Sequence, residues 1–166
     1  MNRQARTTST ELDQRRRATR TTRLGRRFTR WLRERVSRRP VHALAERRGV
    51  LVIDDDRDFR EALALLLGAD GIAVAEAATG REALSLLPHG APRLIVLDLD
   101  DAVADGIGFL ATKRLLWRRD LRAVPVLALT SLETRARLAE ELGASVVLRK
   151  PLRFDVLLDR VDLELA

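Results

Sequence analysis

From Val50 onward the hydrophobic positions of the chain switch repeatedly between two periods. Continuous apolar runs recur at Val50–Ile53, Ile72–Ala75, Leu94–Leu97, Val124–Leu129 and Ser145–Leu148. Between them apolar residues fall three and four apart, as in Phe59, Leu63, Leu66 and Leu67. Runs of the first kind read as strands buried on both faces, and spacings of the second kind as amphipathic helices. The first helix is expected to end at Gly68 or Gly71, and the second to span Thr79–Leu87 with Pro88 marking its end. The third is expected to run through Phe109, Leu110 and Lys113–Trp117, and Glu133–Leu142 and Leu152–Leu163 supply the last two. Five strand–helix units in alternation predict an α/β protein with a doubly wound, five-stranded parallel sheet.

Right-handed crossovers in such a sheet bring the residues just past the carboxyl ends of the strands to one edge, where ligands bind at a topological switch point. Here those residues are Asp54, Asp55 and Asp56 after the first strand, Asp98 after the third, Thr130 and Ser131 after the fourth, and Lys150 after the fifth. Carboxylates held close together repel one another unless a cation intervenes, and a hard divalent ion such as Mg²⁺ suits oxygen donors best. One carboxylate can also attack phosphorus to form an aspartyl phosphate, with a metal, an ammonium and a hydroxyl binding the phosphoryl oxygens. Asp98, at the end of the central strand, is the candidate nucleophile. Taken singly, each residue has an ordinary explanation, since an Asp after a strand commonly caps a turn or helix and a Lys-Pro commonly marks a loop. Their joint placement at one sheet edge points to phosphate and metal chemistry.

Composition divides the chain in two. Residues 1–49 hold 16 arginines, no lysine and four acids, a net charge of +12, whereas residues 50–166 carry a net of −5. With no cysteine, disulfides, thiol catalysis and Cys-based metal sites are excluded. No apolar run reaches the roughly 20 residues of a membrane span, and no signal-peptide pattern opens the chain, so a cytoplasmic location is expected.

Residues 50 to about 163 resemble the receiver domain of bacterial two-component response regulators, of the chemotaxis-regulator type. The resemblance rests on Val50-Leu51-Val52-Ile53-Asp54-Asp55-Asp56 with Arg60 and Leu63, on Ala78-Thr79-Gly80-Arg81-Glu82-Ala83-Leu84, and on Asp98 followed by Asp105-Gly106. It is completed by Val124-Pro125-Val126-Leu127-Ala128-Leu129-Thr130-Ser131 and Arg149-Lys150-Pro151. It implies a flavodoxin-like fold with strand order 2-1-3-4-5 over residues 50–166. It further implies that Asp54 and Asp55 hold Mg²⁺ together with Asp98 and the backbone carbonyl of Asp100. Asp98 would accept a phosphoryl group from a histidine kinase or histidine phosphotransfer protein, with Thr130 bonding a phosphoryl oxygen and Lys150 pairing with it. The Asp100 side chain would add charge beside the site, and Asp56 reads as a helix N-cap rather than a ligand.

Two departures from the family pattern bear on output. The family usually carries an aromatic residue three positions before the lysine, and here that position is Val147. An isopropyl group cannot report phosphorylation as a swinging ring does, so an unusual readout is expected. The loop Leu99-Asp100-Asp101-Ala102-Val103-Ala104-Asp105-Gly106 lacks the customary proline and is expected to be more mobile and more acidic than usual.

Residues 1–23, rich in Thr, Ser and Arg, are expected to be disordered. A basic amphipathic helix is predicted over 24–39, with Leu24, Phe28, Trp31, Leu32 and Val36 on one face. Such a helix suits an anionic membrane or an acidic partner, or nucleic-acid phosphates with Phe28 or Trp31 stacking on bases. Packing on the receiver is an alternative, as is translation starting at Val36, Val41 or Val50. No helix-turn-helix pattern is present, so no specific DNA-binding domain is expected.

The leading expectation is a single-domain response regulator that is not an enzyme and signals through a downstream protein partner. One alternative is a receiver-like docking module that is not phosphorylated. The other is a phosphatase of the haloacid-dehalogenase type, suggested by Leu97-Asp98-Leu99-Asp100-Asp101 and opposed by paired aspartates that precede the lysine.

Overall fold

The computed structural model describes residues 49–100 and 105–166. The predicted helix at 24–39, the disorder expected of 1–23 and the character of positions 101–104 therefore lie outside the described residues. Five strands, β1 (Gly49–Ile53), β2 (Ala73–Ala77), β3 (Leu94–Asp98), β4 (Val126–Thr130) and β5 (Val146–Arg149), form one all-parallel sheet. Their order is β2-β1-β3-β4-β5, as expected. Six α-helices are described: α1 (Arg57–Ala69), α2 (Gly80–Leu86), α3 (Gly106–Arg114), α4 (Arg119–Ala123), α5 (Glu133–Glu141) and α6 (Phe154–Leu165).

Successive strand residues point to opposite faces, and both faces are covered. Val50, Val52, Leu94, Val96, Leu127 and Leu129 pack against Leu63 and Leu67 of α1 and Leu157, Val161 and Leu165 of α6. Leu51, Ile53, Ile95, Leu97, Val126 and Ala128 face the other way, onto Ala83 of α2, Phe109 and Leu110 of α3 and Ala139 of α5. With almost no aromatic side chains in the core, aliphatic interdigitation across two layers supplies the burial that drives folding.

Local signals end the helices where the chain must turn. After α1, Gly71 adopts φ +78°, its amide bonds the Gly68 carbonyl and the Ile72 amide bonds that of Leu67, a Schellman arrangement that tolerates no Cβ comfortably. Gly143, at φ +92°, does the same after α5. Thr79 caps α2 by accepting from Glu82 N, while the Glu82 carboxylate accepts from Ala78 N.

Several predicted boundaries are corrected. The third helix stops at Arg114 instead of reaching Trp117, and Leu115 and Trp117 are 83% and 87% exposed. The Leu115 and Leu116 amides turn back to the Thr112 and Lys113 carbonyls, and the chain starts the short α4, which buries Leu121. One turn of helix is too short to establish a period in sequence, so α4 was not foreseen. β4 begins at Val126, not Val124, because Pro125 has no amide to donate to a ladder. β2 lies at Ala73–Ala77 because Ile72 is committed to the turn after α1. Pro88 sits within a 3₁₀ turn, Leu87–His89, and α6 starts at Phe154 instead of Leu152 and continues to Leu165.

Candidate functional site

Strand register sets the site. β1 pairs with β3 so that Ile53 lies beside Leu97, and β3 pairs with β4 so that Asp98 lies beside Leu129. The three strands therefore end almost level, and Asp54, Asp98 and Thr130 emerge at one edge. Lys150 follows β5, and its amide continues the ladder to the Thr130 carbonyl at 2.9 Å.

The result is an open cleft of about 430 Å³ lined by Asp54, Asp55, Asp56, Asp98, Asp100, Phe59 and Lys150. Asp54 and Asp98 are buried, at 3% and 4% exposure, while Asp55 is exposed. One carboxylate oxygen from each of these three lies within 4.8 Å of the other two. Burial, reinforced by the like charge of Asp98, raises the Asp54 carboxyl from its ordinary 3.8 to about 6, against the Asp56 amide and the Lys150 charge. Among the described residues, the Lys150 ammonium faces Asp98 and Asp100. Lys150 Nζ lies 2.7 Å from Asp98 Oδ1 and 3.9 Å from Asp100 Oδ2. Burial alone would lower the Lys150 ammonium, but the hydrogen bond and charge of Asp98, with Asp54 and Asp100, hold it above its ordinary value. This all-oxygen, charge-rich donor set fits a hard divalent cation, whose charge would offset the burial and the Asp98 repulsion that hold the Asp54 carboxyl up.

Neighbouring groups hold the acidic loop in place. Arg60 Nη1 donates to the Asp54 carbonyl at 2.6 Å and the Asp55 carbonyl at 3.0 Å. Asp54 Oδ1 accepts from Asp56 N at 2.8 Å, and Asp56 caps α1 by accepting from Asp58 N and Phe59 N, the N-cap role expected of it. Phe59, at the mouth of the cleft, stacks on Phe154 with ring centroids 5.6 Å apart. On the far side Gly106 lets α3 start directly against β3, because a Cβ there would collide with the Asp98 carbonyl oxygen and lie 2.9 Å from Leu99 Cδ2. Asp105 precedes it in the left-handed region at φ 47° and caps α3 by accepting from Gly108 N.

Asp100 has a more specific position than the sequence reading gave it. Its Oδ1 accepts from the Thr130 hydroxyl at 2.5 Å, and its two oxygens accept from Ser131 N at 3.0 and 2.8 Å. Partial burial opposes its ionisation, yet the Thr130 and Ser131 hydrogen bonds and the Lys150 charge hold its carboxyl below the ordinary value. Its own amide donates to Asp98 Oδ1 at 3.1 Å. Thr130 is wholly buried and its oxygen accepts from Leu132 N, so its hydroxyl faces Asp100. Val147 is half-buried against the core layer that contains Ala128 and Ala139.

Asp54, Asp55, Asp98, Asp100, Thr130 and Lys150 are thus brought to one edge. Sequence reasoning did not single out the Ser131 amide, which is a backbone donor with no side-chain signature. Nor did it find Arg135 of α5, whose guanidinium donates to the Leu99 carbonyl and braces the strand end. An arginine on a helix face carries no signal of its target.

Comparison with known proteins agrees with this architecture. Residues 50–162 match the family model described as the response regulator receiver domain. The response regulator MprA of Mycolicibacterium vanbaalenii is 35% identical over 118 residues, covering 68% of this chain and 48% of that protein. A protein-glutamate methylesterase/protein-glutamine glutaminase of Anaeromyxobacter dehalogenans is 42% identical over 108 residues, 63% of this chain and 29% of its own length. The chain spans about half the length of the curated relatives it matches. Among solved structures, the Francisella response regulator 1452 receiver domain superposes with TM-score 0.62 at 28% identity, covering 70% of this chain and 95% of that one. The chemotaxis response regulator CheY4 of Vibrio cholerae gives TM-score 0.63 at 27% identity, with 70% and 97% covered.

Proposed function

As the chain belongs to the response regulator receiver-domain family, we propose that Asp98 is its phosphoacceptor, charged by a histidine kinase or histidine phosphotransfer protein. The observation that carries this reading is the buried Asp98 carboxylate, which has Lys150 Nζ at 2.7 Å and opens onto a cleft shared with Asp54 and Asp55. In the transfer, a free Asp98 carboxylate oxygen forms a bond to phosphorus while the bond from phosphorus to the donor nitrogen breaks and its electron pair stays on the imidazole. Lys150 holds Asp98 in place and faces the charge that develops on the phosphoryl oxygens. Asp54, Asp55, Asp98 and the Asp100 backbone carbonyl would hold Mg²⁺, which supplies charge neutralisation at those oxygens when bound. Gly106 and Arg135 position the end of β3, and the Arg60 guanidinium positions the Asp54–Asp55 backbone.

Family membership replaces the haloacid-dehalogenase reading. A docking module without phosphorylation is the second reading, favoured by the Asp100 side chain, whose carboxylate takes up the Thr130 hydroxyl and the Ser131 amide. Incubation with acetyl phosphate and Mg²⁺ separates the two. A mass gain of one phosphoryl group, abolished in Asp98→Asn, supports the phosphoacceptor; no gain from acetyl phosphate or from a kinase donor decides for the docking module.

The 16 arginines within residues 1–49 support one further element of this reading, a contact with an anionic membrane surface. Flotation of the full chain with and without anionic lipid tests it, and lipid-independent behaviour removes it. Among the described residues no helix is long and apolar enough to cross a membrane.

A further inference from the structure

The donors around the cleft have an occupant drawn from the chain itself. The Thr130 hydroxyl, the Ser131 amide and the Lys150 ammonium come from the ends of β4 and β5 and converge on the edge of β3. A hydroxyl, an amide and an ammonium converging in this way form a cradle for an oxyanion. The Asp100 carboxylate occupies it, with Thr130 at 2.5 Å, Ser131 at 2.8 and 3.0 Å and Lys150 at 3.9 Å. Lys150 is shared, because the same Nζ bonds Asp98 Oδ1 at 2.7 Å. A group attached to Asp98 would therefore project toward donors that Asp100 already holds.

We propose that Asp100 is an internal stand-in for the phosphoryl group, which holds Thr130 and Ser131 in their anion-bound arrangement before phosphorylation and must leave the cradle when Asp98 is phosphorylated. The inference rests on Asp98 being the phosphoacceptor. A phosphoryl group brings close to two negative charges and three strong acceptor oxygens. Two anions cannot share one hydroxyl proton and one amide proton at hydrogen-bond distance, and their repulsion adds to the competition. Two consequences follow. Phosphorylation is disfavoured relative to a chain without this carboxylate, and the position of Thr130 changes little when it occurs. The second consequence bears on Val147: a threonine that is already drawn in needs no swinging aromatic ring to follow its movement.

The test compares the wild-type chain with Asp100→Asn and Asp100→Ala. The probe is trifluoroberyllate with Mg²⁺, a phosphoryl analogue that needs no chemical step, read by the Ser131 amide resonance in ¹H–¹⁵N spectra. The expected result is that both variants bind trifluoroberyllate roughly ten- to a hundredfold more tightly than wild type, the range of one charge-assisted hydrogen bond. In the ligand-free variants the Ser131 amide proton shifts upfield, and in wild type it moves little on saturation. A carboxylate that merely braced the loop would lower thermal stability in the variants without tightening the analogue. Equal or weaker trifluoroberyllate binding in both variants overturns the proposal. If neither wild type nor variants bind the analogue, and acetyl phosphate gives no mass gain on any of them, the phosphoacceptor reading fails and this inference fails with it. A wild type that is phosphorylated on Asp98, with variants no better at binding the analogue, sinks the inference alone.

Discussion

Lys150 reaches across β4 to place its ammonium 2.7 Å from the Asp98 carboxylate, joining residues 52 positions apart in sequence. It is the only cation at hydrogen-bond distance from that carboxylate among the described residues, and it sits amid Asp54, Asp98 and Asp100. A group in this position orients the nucleophile and at the same time competes with any metal for the same oxygens.

Lys150→Met is expected to separate those roles. Phosphorylation of Asp98 by acetyl phosphate falls below detection, because the charge developing on the phosphoryl oxygens loses its counter-ion. Mg²⁺ binding, measured by titration calorimetry, tightens roughly tenfold or more, since a unit charge about 4 Å from a divalent ion is worth about 2 kcal/mol even in a water-like dielectric. Weaker Mg²⁺ binding in the variant would contradict the geometry.

Asp54 predicts an unusual pH dependence for the metal-free protein. Its carboxyl is raised from 3.8 to about 6, chiefly by burial. A raised folded-state value means that the folded state binds the proton more tightly than the unfolded one. The contribution is fully present below 3.8 and is lost as pH rises through about 6. Asp54→Asn should remove this pH-dependent loss, on the order of 1–2 kcal/mol after screening by water at the open mouth. Urea unfolding at pH 4 to 7.5 in chelator, with wild type and variant compared, measures it. Added Mg²⁺, which favours the ionised carboxylates, should offset the same loss in wild type.

Gly106→Ala tests the packing of α3 on β3. The new methyl would meet the Asp98 carbonyl, a backbone atom that cannot rotate away. A destabilisation of about 1–3 kcal/mol is expected, together with slower phosphorylation as the end of β3 shifts. Unfolding midpoints and the acetyl phosphate rate report the two effects separately, and an unchanged midpoint would show that α3 has room to retreat.

Lys113 offers a stabilising change. It lies on the buried stripe of α3 with Phe109 and Leu110, at 6% exposure, and its ammonium donates to the Arg122 carbonyl at 2.8 Å. Burial lowers it from 10.5 to about 8. A depressed lysine contributes stability fully above its unfolded value of 10.5, and that contribution is lost as pH falls through about 8. At neutral pH the buried charge is therefore a cost. Lys113→Met keeps the stem and removes the charge, and should raise stability at pH 7 by about 1 kcal/mol, the Arg122 carbonyl losing one partner in exchange. Thermal melts at pH 7 and pH 10 should show the advantage shrinking at the higher pH.

Much of this protein was legible because the signals were local. Five continuous apolar runs separated by helical spacings specify an alternating α/β chain, and residues that end such strands must share an edge. Asp54, Asp98, Thr130 and Lys150 could be assigned to one pocket on that ground alone, and Asp56 to a cap. What went unread had no local signature. The short α4 contains too few residues to show a period, and the third helix ends at Arg114, where the Leu115 and Leu116 amides turn back to the Thr112 and Lys113 carbonyls, with no glycine or proline in the run to announce it.

The sequence by itself therefore determined the layering, the strand order that its resemblance implied and the list of charged groups at the edge, because burial periodicity and strand ends follow from covalent order. Which group bonds which was decided only by the tertiary structure. Register between β3 and β4 brings Thr130 and Ser131 within reach of Asp100, thirty residues away in the chain, and leaves Lys150 between two carboxylates. Hydrogen bonds fail over a fraction of an ångström, so a distance of 2.5 Å from the Thr130 hydroxyl turns an additional acid beside a pocket into the occupant of its anion cradle.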